Sequence, residues 1–262
     1  MKKKLIHALV LGSLVGVPTF AYAADESPHK LSANVGMYSN YVFRGISQTG
    51  GDPAIQGGLD YNHSSGLYIG TWASNVGWIE DYQGYGSGNV EFDVYGGVRG
   101  GIGKTGLTYD LGAIQYIYPG KRYNGATLTT AVDADTTEVY ASLGWKWFTA
   151  KYSYYLSDEV FGFANAEHSD YLDISASVPI GDTGLTAGAH WGTFNFKNNG
   201  AQDYDDWKIS LAYDMGKLSS VTSGVTVGVM YTDTDADKTV WTDTNNEFLG
   251  KSTTTVWISK AF

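Results

Sequence analysis

About twelve stretches of this chain alternate between apolar and polar side chains with a period of two, which makes the half-buried β-strand its repeating unit. In the first, Leu31, Ala33, Val35, Met37, Tyr41 and Phe43 are apolar, while Ser32, Asn34, Gly36, Asn40 and Arg44 between them are polar or small. Similar alternation returns over 53–63, 67–76, 89–99, 106–118, 136–145, 148–157, 171–179, 185–194, 204–214, 224–233 and 252–262. An even number of strands is what closure of a single chain into an antiparallel barrel requires.

The apolar rows include Ile55, Leu59 and Tyr61; Val90, Phe92, Val94 and Val98; Leu107, Tyr109, Leu111 and Ala113; Val139, Ala141, Leu143 and Trp145; and Leu172, Ile174, Ala176 and Val178. A soluble sandwich also alternates, with a protein core in place of lipid as the apolar neighbour. The connections discriminate between the two. Counting from a periplasmic N-terminus, the even-numbered ones are short: His63-Ser64-Ser65-Gly66, 100–105, Lys146-Trp147, 180–184 and 215–223. The odd-numbered ones, near 45–53, 77–88, 119–135, 158–170, 195–203 and 234–251, are longer and polar. Short turns at one end and long loops at the other form the pattern of an outer-membrane barrel.

Four short turns share one device. Ser65-Gly66-Leu67, Thr105-Gly106-Leu107, Thr183-Gly184-Leu185 and Ser223-Gly224-Val225 each place a glycine, free to take positive φ, just before the aliphatic residue that starts an outward row. The strand starting at Phe148 lacks it.

Residues 1–23 read as a cleaved secretory signal: Lys2, Lys3 and Lys4, an apolar stretch over 5–17 too short to span a bilayer, and the small-x-small site Ala21-Tyr22-Ala23. Residues 24–30 are then a short periplasmic segment and 31–262 the barrel. Cleavage removes three of the 17 basic residues and none of the 27 acidic ones, and so acidic a chain is no nucleic-acid binder. No other stretch approaches the roughly 18 apolar residues of a transmembrane helix. With no cysteine there is no disulfide framework, thiolate metal site or lipoprotein acceptor.

Aromatic residues gather near expected strand ends: Tyr41 and Phe43, Tyr61, Tyr116 and Tyr118, Trp145 with Trp147 and Phe148, Tyr154 and Tyr155, Trp191 and Phe194, Trp207, Tyr231, Trp257 and Phe262. An interfacial girdle is the natural reading. At the C-terminus Val256, Ile258 and Phe262 keep the outward row, and Lys260, which interrupts it, can snorkel to the interface.

The segments Tyr38-Ser39-Asn40-Tyr41-Val42-Phe43-Arg44-Gly45-Ile46-Ser47-Gln48, Pro53-Ala54, Gln56-Gly57 and Gly66-Leu67-Tyr68-x-Gly70-x-Trp72-Ala73-Ser74-Asn75-Val76 resemble the TorF-type porin family of proteobacteria. The likeness runs on through Tyr118-Pro119-Gly120 and Tyr204-Asp205-Asp206-Trp207-Lys208 to the C-terminus, so it covers essentially the whole mature chain. It implies porin-like transport in the outer membrane of a Gram-negative cell, with no catalytic residue to carry over and no named solute.

With strands roughly 4.8 Å apart and tilted by about 40°, twelve close at a backbone radius of roughly 12 Å. Inward side chains of roughly 5 Å leave room for a small solute. The candidate lining residues are Arg44, Asp60, Trp72, Glu91, Asp93, Arg99, Asp110, Glu138, Lys151, Asp173, His190, Lys208 and Asp214. Opposed charges there can orient a dipolar solute, and the acidic excess favours cations. Alternatively some pair across neighbouring strands, Asp60 or Glu91 with Arg44 or Arg99, and stiffen or plug the barrel.

Other motifs carry less. In Gly100-Gly101-Ile102-Gly103-Lys104-Thr105-Gly106 the first glycine of a phosphate loop would have to stand at Val98. Asp233-Thr234-Asp235-Ala236-Asp237 has Lys238 where a calcium loop needs glycine and Thr244 where it needs glutamate. The His63-Ser64-Ser65 turn is similar to the His–Ser pairing of outer-membrane phospholipases but has no evident orienting partner. His29, His63, His168 and His190 lack metal-ligand spacing.

The sequence therefore points first to a passive channel for small hydrophilic solutes with no cofactor. Its expected partners are outer-membrane lipid and lipopolysaccharide, those solutes, and the barrel-assembly machinery that reads the terminal Phe262. The alternatives are a plugged structural or adhesive barrel and, behind it, a lipid-modifying enzyme.

Overall fold

In a computed structural model of the chain, residues 27–122 and 132–262 are described, so the expected signal at 1–23 lies outside the described residues. Twelve long antiparallel strands close into a barrel: β1 (His29–Tyr38), β4 (Ala54–His63), β5 (Leu67–Asn75), β7 (Val90–Gly101), β8 (Leu107–Ile117), β10 (Thr136–Trp145), β11 (Phe148–Tyr155), β12 (Asp170–Pro179), β13 (Leu185–Asn195), β14 (Tyr204–Asp214), β15 (Val225–Thr234) and β16 (Thr253–Ala261). Between them, in the long connections, lie the hairpin β2 (Val42–Phe43) and β3 (Ile46–Ser47), the short helix α1 (Trp78–Asp81), and the small strands β6 (Tyr85–Ser87) and β9 (Lys121–Arg122). Each barrel strand pairs with its neighbours in order, and β1 closes the ring against β16, from Asn34 opposite Ala261 to Tyr38 opposite Trp257.

The strand boundaries follow the period. Outward positions such as Ile55, Leu59, Ile69, Leu143 and Ile209 are exposed, whereas inward positions such as Gln56, Ser142, Ser153 and Thr255 are buried. A soluble monomer does not leave whole strand faces of this kind bare. At the short-turn end Gly66, Gly106, Gly184 and Gly224 all adopt positive φ, between 77° and 94°, as the sequence device demands. A Cβ on Gly224 would come 2.5 Å from the Ala261 carbonyl oxygen, so the position excludes any larger residue. The two-residue turn before Phe148, which has no glycine, puts Lys146 at φ 54° instead.

Two expectations are corrected. The first strand does not run to Phe43 but ends at Tyr38, and it begins at His29, so His29 and Lys30 belong to the wall rather than to a segment outside it. Nor do all the aromatic residues form a girdle. Trp145, Trp147, Phe148, Trp191, Trp207, Tyr231 and Phe262 are exposed on the outer surface. Tyr41, Tyr116, Tyr118, Tyr155 and Phe194 are buried inside the barrel, with Phe43 packed against them, and Trp257 faces inward beside Met230 and Ala212. The cause is the loops, which cross the long-loop end and bring their own apolar side chains: Trp78, Ile79, Tyr85, Val160, Phe161, Phe196, Trp241 and Leu249 join the same core. Stacked and edge-on contacts tie it together, such as Tyr82 on Trp241 and Phe161 on Tyr116.

Candidate functional site

The interior of the barrel is where charge concentrates. The hairpin β2–β3 folds inward, and Arg44 at its turn, at φ 47°, reaches the far wall. Its Nη2 donates to Glu138 Oε2 at 2.7 Å and its Nη1 to the Tyr155 hydroxyl. Glu138 is fully buried and also receives the Ser153 hydroxyl at 2.6 Å, the Tyr116 hydroxyl at 3.0 Å and Lys151 Nζ at 3.2 Å. The Arg44 guanidinium lies 4.1 Å from the Tyr171 ring centroid. Burial works against its charge, but the neighbouring Glu138 carboxylate more than restores it, so Arg44 stays ionised.

A second group lies on β7 and its neighbours. Glu91 accepts from the Tyr41 hydroxyl at 2.8 Å and the Tyr118 hydroxyl at 3.0 Å. Burial, reinforced by the Glu91 charge, pushes both phenols well above their ordinary range and keeps them as donors. Asp93 follows two residues on, and Trp72 stands opposite it. Closer to the short turns Tyr95 donates to Asp60 at 2.7 Å, Tyr68 to Asp110 at 2.6 Å, and Arg99 to Asn62. These tyrosines lie over glycines: a Cβ on Gly70 would sit 2.5 Å from Tyr95 Cε2, and one on Gly112 2.7 Å from the Tyr68 hydroxyl oxygen.

Across the barrel, His190 is held between two carboxylates, with Nδ1 2.8 Å from Asp173 and Nε2 2.8 Å from Asp206. Tyr171 donates to the other Asp206 oxygen at 2.7 Å, and Lys208 stands directly opposite His190 in register. Asp214 stands apart from this set, because at the end of β14 it accepts from the Gly216 amide and caps the turn. The arrangement gives a polar interior of both signs inside an apolar exterior.

A family model described as "Bacterial protein of unknown function (Gcw_chp)" matches residues 22–262. The chain belongs to the Gcw_chp family. No curated protein matches it in sequence. Among solved structures this Gcw_chp barrel is similar to the NanC porin, with a TM-score of 0.51 and 12% identity over 89% of this chain and 99% of that one. It is similar also to the KdgM porin, at 0.50 and 7% over 88% and 97%, a protein also solved in complex with disordered oligogalacturonate. At such identities the likeness is one of fold.

Of the sequence-selected residues, Arg44 reaches the interior from a loop rather than from the wall. Where cross-strand pairing was expected, Asp60 holds the Tyr95 hydroxyl, Glu91 the Tyr41 hydroxyl, and Arg44 holds Glu138. Asp206 escaped selection in the Gcw_chp chain, although it precedes Lys208 by two and so shares its face. Ser153 and Tyr171 were missed for want of charge. The His63 ring, 2.7 Å from the Ser65 hydroxyl, also accepts the Ser65 amide and thus closes an exposed turn.

Proposed function

We propose that this Gcw_chp protein is an outer-membrane porin-like channel for the passive diffusion of small hydrophilic solutes, narrowed at its outer end by its own loops. The observation that carries the reading is the inversion of polarity: aliphatic rows outside, and Arg44, Glu138, Lys151, Asp173, His190 and Lys208 inside. Buried charges are costly, and a barrel whose only duty was to stand in lipid would be filled more cheaply by apolar side chains. The fold shared with the NanC and KdgM porins and the resemblance to TorF-type porins point the same way. KdgM was solved in complex with oligogalacturonate, a polyanion, whereas the interior described above, with acids at 60, 91, 93, 110, 138, 173 and 206, favours neutral, zwitterionic or cationic solutes.

The aromatic core at the long-loop end favours a second reading, a plugged scaffold. Planar-bilayer recording of the purified protein decides between the two. The channel reading expects discrete conductance steps and swelling of proteoliposomes in small sugars or amino acids. A folded protein that gives no steps in any variant that frees the loops is the plugged scaffold.

A further inference from the structure

Asp93 is fully buried inside the barrel, and neither of its carboxylate oxygens has a hydrogen-bond partner. Its acidic neighbours are provided for: Glu91 holds two tyrosine hydroxyls, and Glu138 holds Arg44 and Lys151. A bare carboxylate sealed beside two other acids is strongly unfavourable unless something positive completes it.

The surroundings say what kind of ion would fit. Register places Trp72 on one side of Asp93 and Tyr116 on the other, and side chains opposed in this way on one face lie about 5 Å apart. Above them the inward hairpin forms a roof, with Tyr41 edge-on to Trp72 at 5.5 Å and Phe43 edge-on to Tyr116 at 5.9 Å. Among the described residues no group of three histidine or acidic side chains is placed to hold a metal ion, and a single free carboxylate falls far short of the six to eight oxygens that calcium takes. One unpartnered carboxylate flanked by aromatic side chains matches a single positive charge, and a small monovalent cation is also attracted to ring faces.

We infer that Asp93 heads a binding site for a small monovalent cation, walled by Trp72 and Tyr116 and roofed by the hairpin. It rests on the channel reading for how the ion arrives. The site itself is read in detergent without any conduction. Thermal unfolding of the full-length barrel in potassium chloride is compared with unfolding in N-methylglucamine chloride at equal ionic strength, since the latter cation is too bulky for the site. The expected result is a midpoint several degrees higher in potassium, a difference that Asp93→Asn abolishes and Asp93→Glu partly retains. Equal midpoints in the two salts overturn the proposal, and so does a salt difference that survives Asp93→Asn; the first outcome means that a proton occupies the carboxylate. If Asp93→Asn fails to fold, the wild-type salt comparison and Asp93→Glu still decide. In bilayers, reversal potentials in a potassium chloride gradient then move towards anions in Asp93→Asn. A protein that passes no current refutes the channel while the melting comparison still judges the site.

Discussion

Arg44 ties the inward hairpin to the opposite wall of the barrel. It sits in a left-handed conformation that few non-glycine residues adopt, and its head group joins Glu138, Tyr155 and the Tyr171 ring on the opposite wall. Removing one partner of a buried ion pair typically costs about 3–5 kcal/mol, because the other charge is left without compensation. Here Lys151 remains to hold Glu138, and the hairpin is packed inside the barrel rather than hydrogen-bonded into its wall, so the loss falls on the hairpin's docking. Arg44→Ala is therefore expected to leave the barrel folded, with unchanged heat-modifiable migration on gels, and to enlarge the single-channel conductance steps. A smaller rise is expected for Glu138→Gln, which keeps the shape and removes the charge. Unchanged steps in both variants would show that the hairpin does not restrict passage.

Strands after the first, by contrast, were legible in the sequence to within about two residues, because period two in the side chains and a glycine ahead of four of the outward rows leave little freedom. β14 starts and ends where the alternation does, at Tyr204 and Asp214, and β4 differs from its expected span by one residue. The loops were not legible, since a loop has no period: Tyr41, Phe43 and Arg44 continue the alternation of β1 by chance of spacing and then turn inward. What betrays the hairpin is Gly45, at φ 80°, where a Cβ would come 2.6 Å from the Asp206 Cβ on β14. Gly45→Val adds both that overlap and a β-branched residue at positive φ, a strain of about 1–3 kcal/mol. It is expected to lift the hairpin from the wall and so to reproduce the Arg44→Ala conductance, and its hairpin should become cleavable by added protease. Protection equal to wild type would refute the docking described above.

At the scale of the whole molecule, the barrel rests on one distinction that neighbouring residues express in opposite senses. Ile209 in the middle of β14 is 55% exposed and belongs to the outer row, whereas Lys208 beside it points to the interior opposite His190. If lipid covers the outer row, placing a lysine at 209 puts a charge near the bilayer midplane, where it costs about 2–4 kcal/mol, well above the effect of most surface substitutions. If water covered that row, Ile209→Lys would be neutral or would improve solubility. Denaturant unfolding of the protein in lipid vesicles, followed by tryptophan fluorescence, is thus expected to show Ile209→Lys destabilised by that amount. The reciprocal substitution, Lys208→Ile, alters the interior charge and is expected to change conductance without a matching loss from the lipid-facing surface. Equal stability of Ile209→Lys and wild type in vesicles would mean that the aliphatic rows face something other than acyl chains, and the polarity inversion on which the channel depends would fall with it.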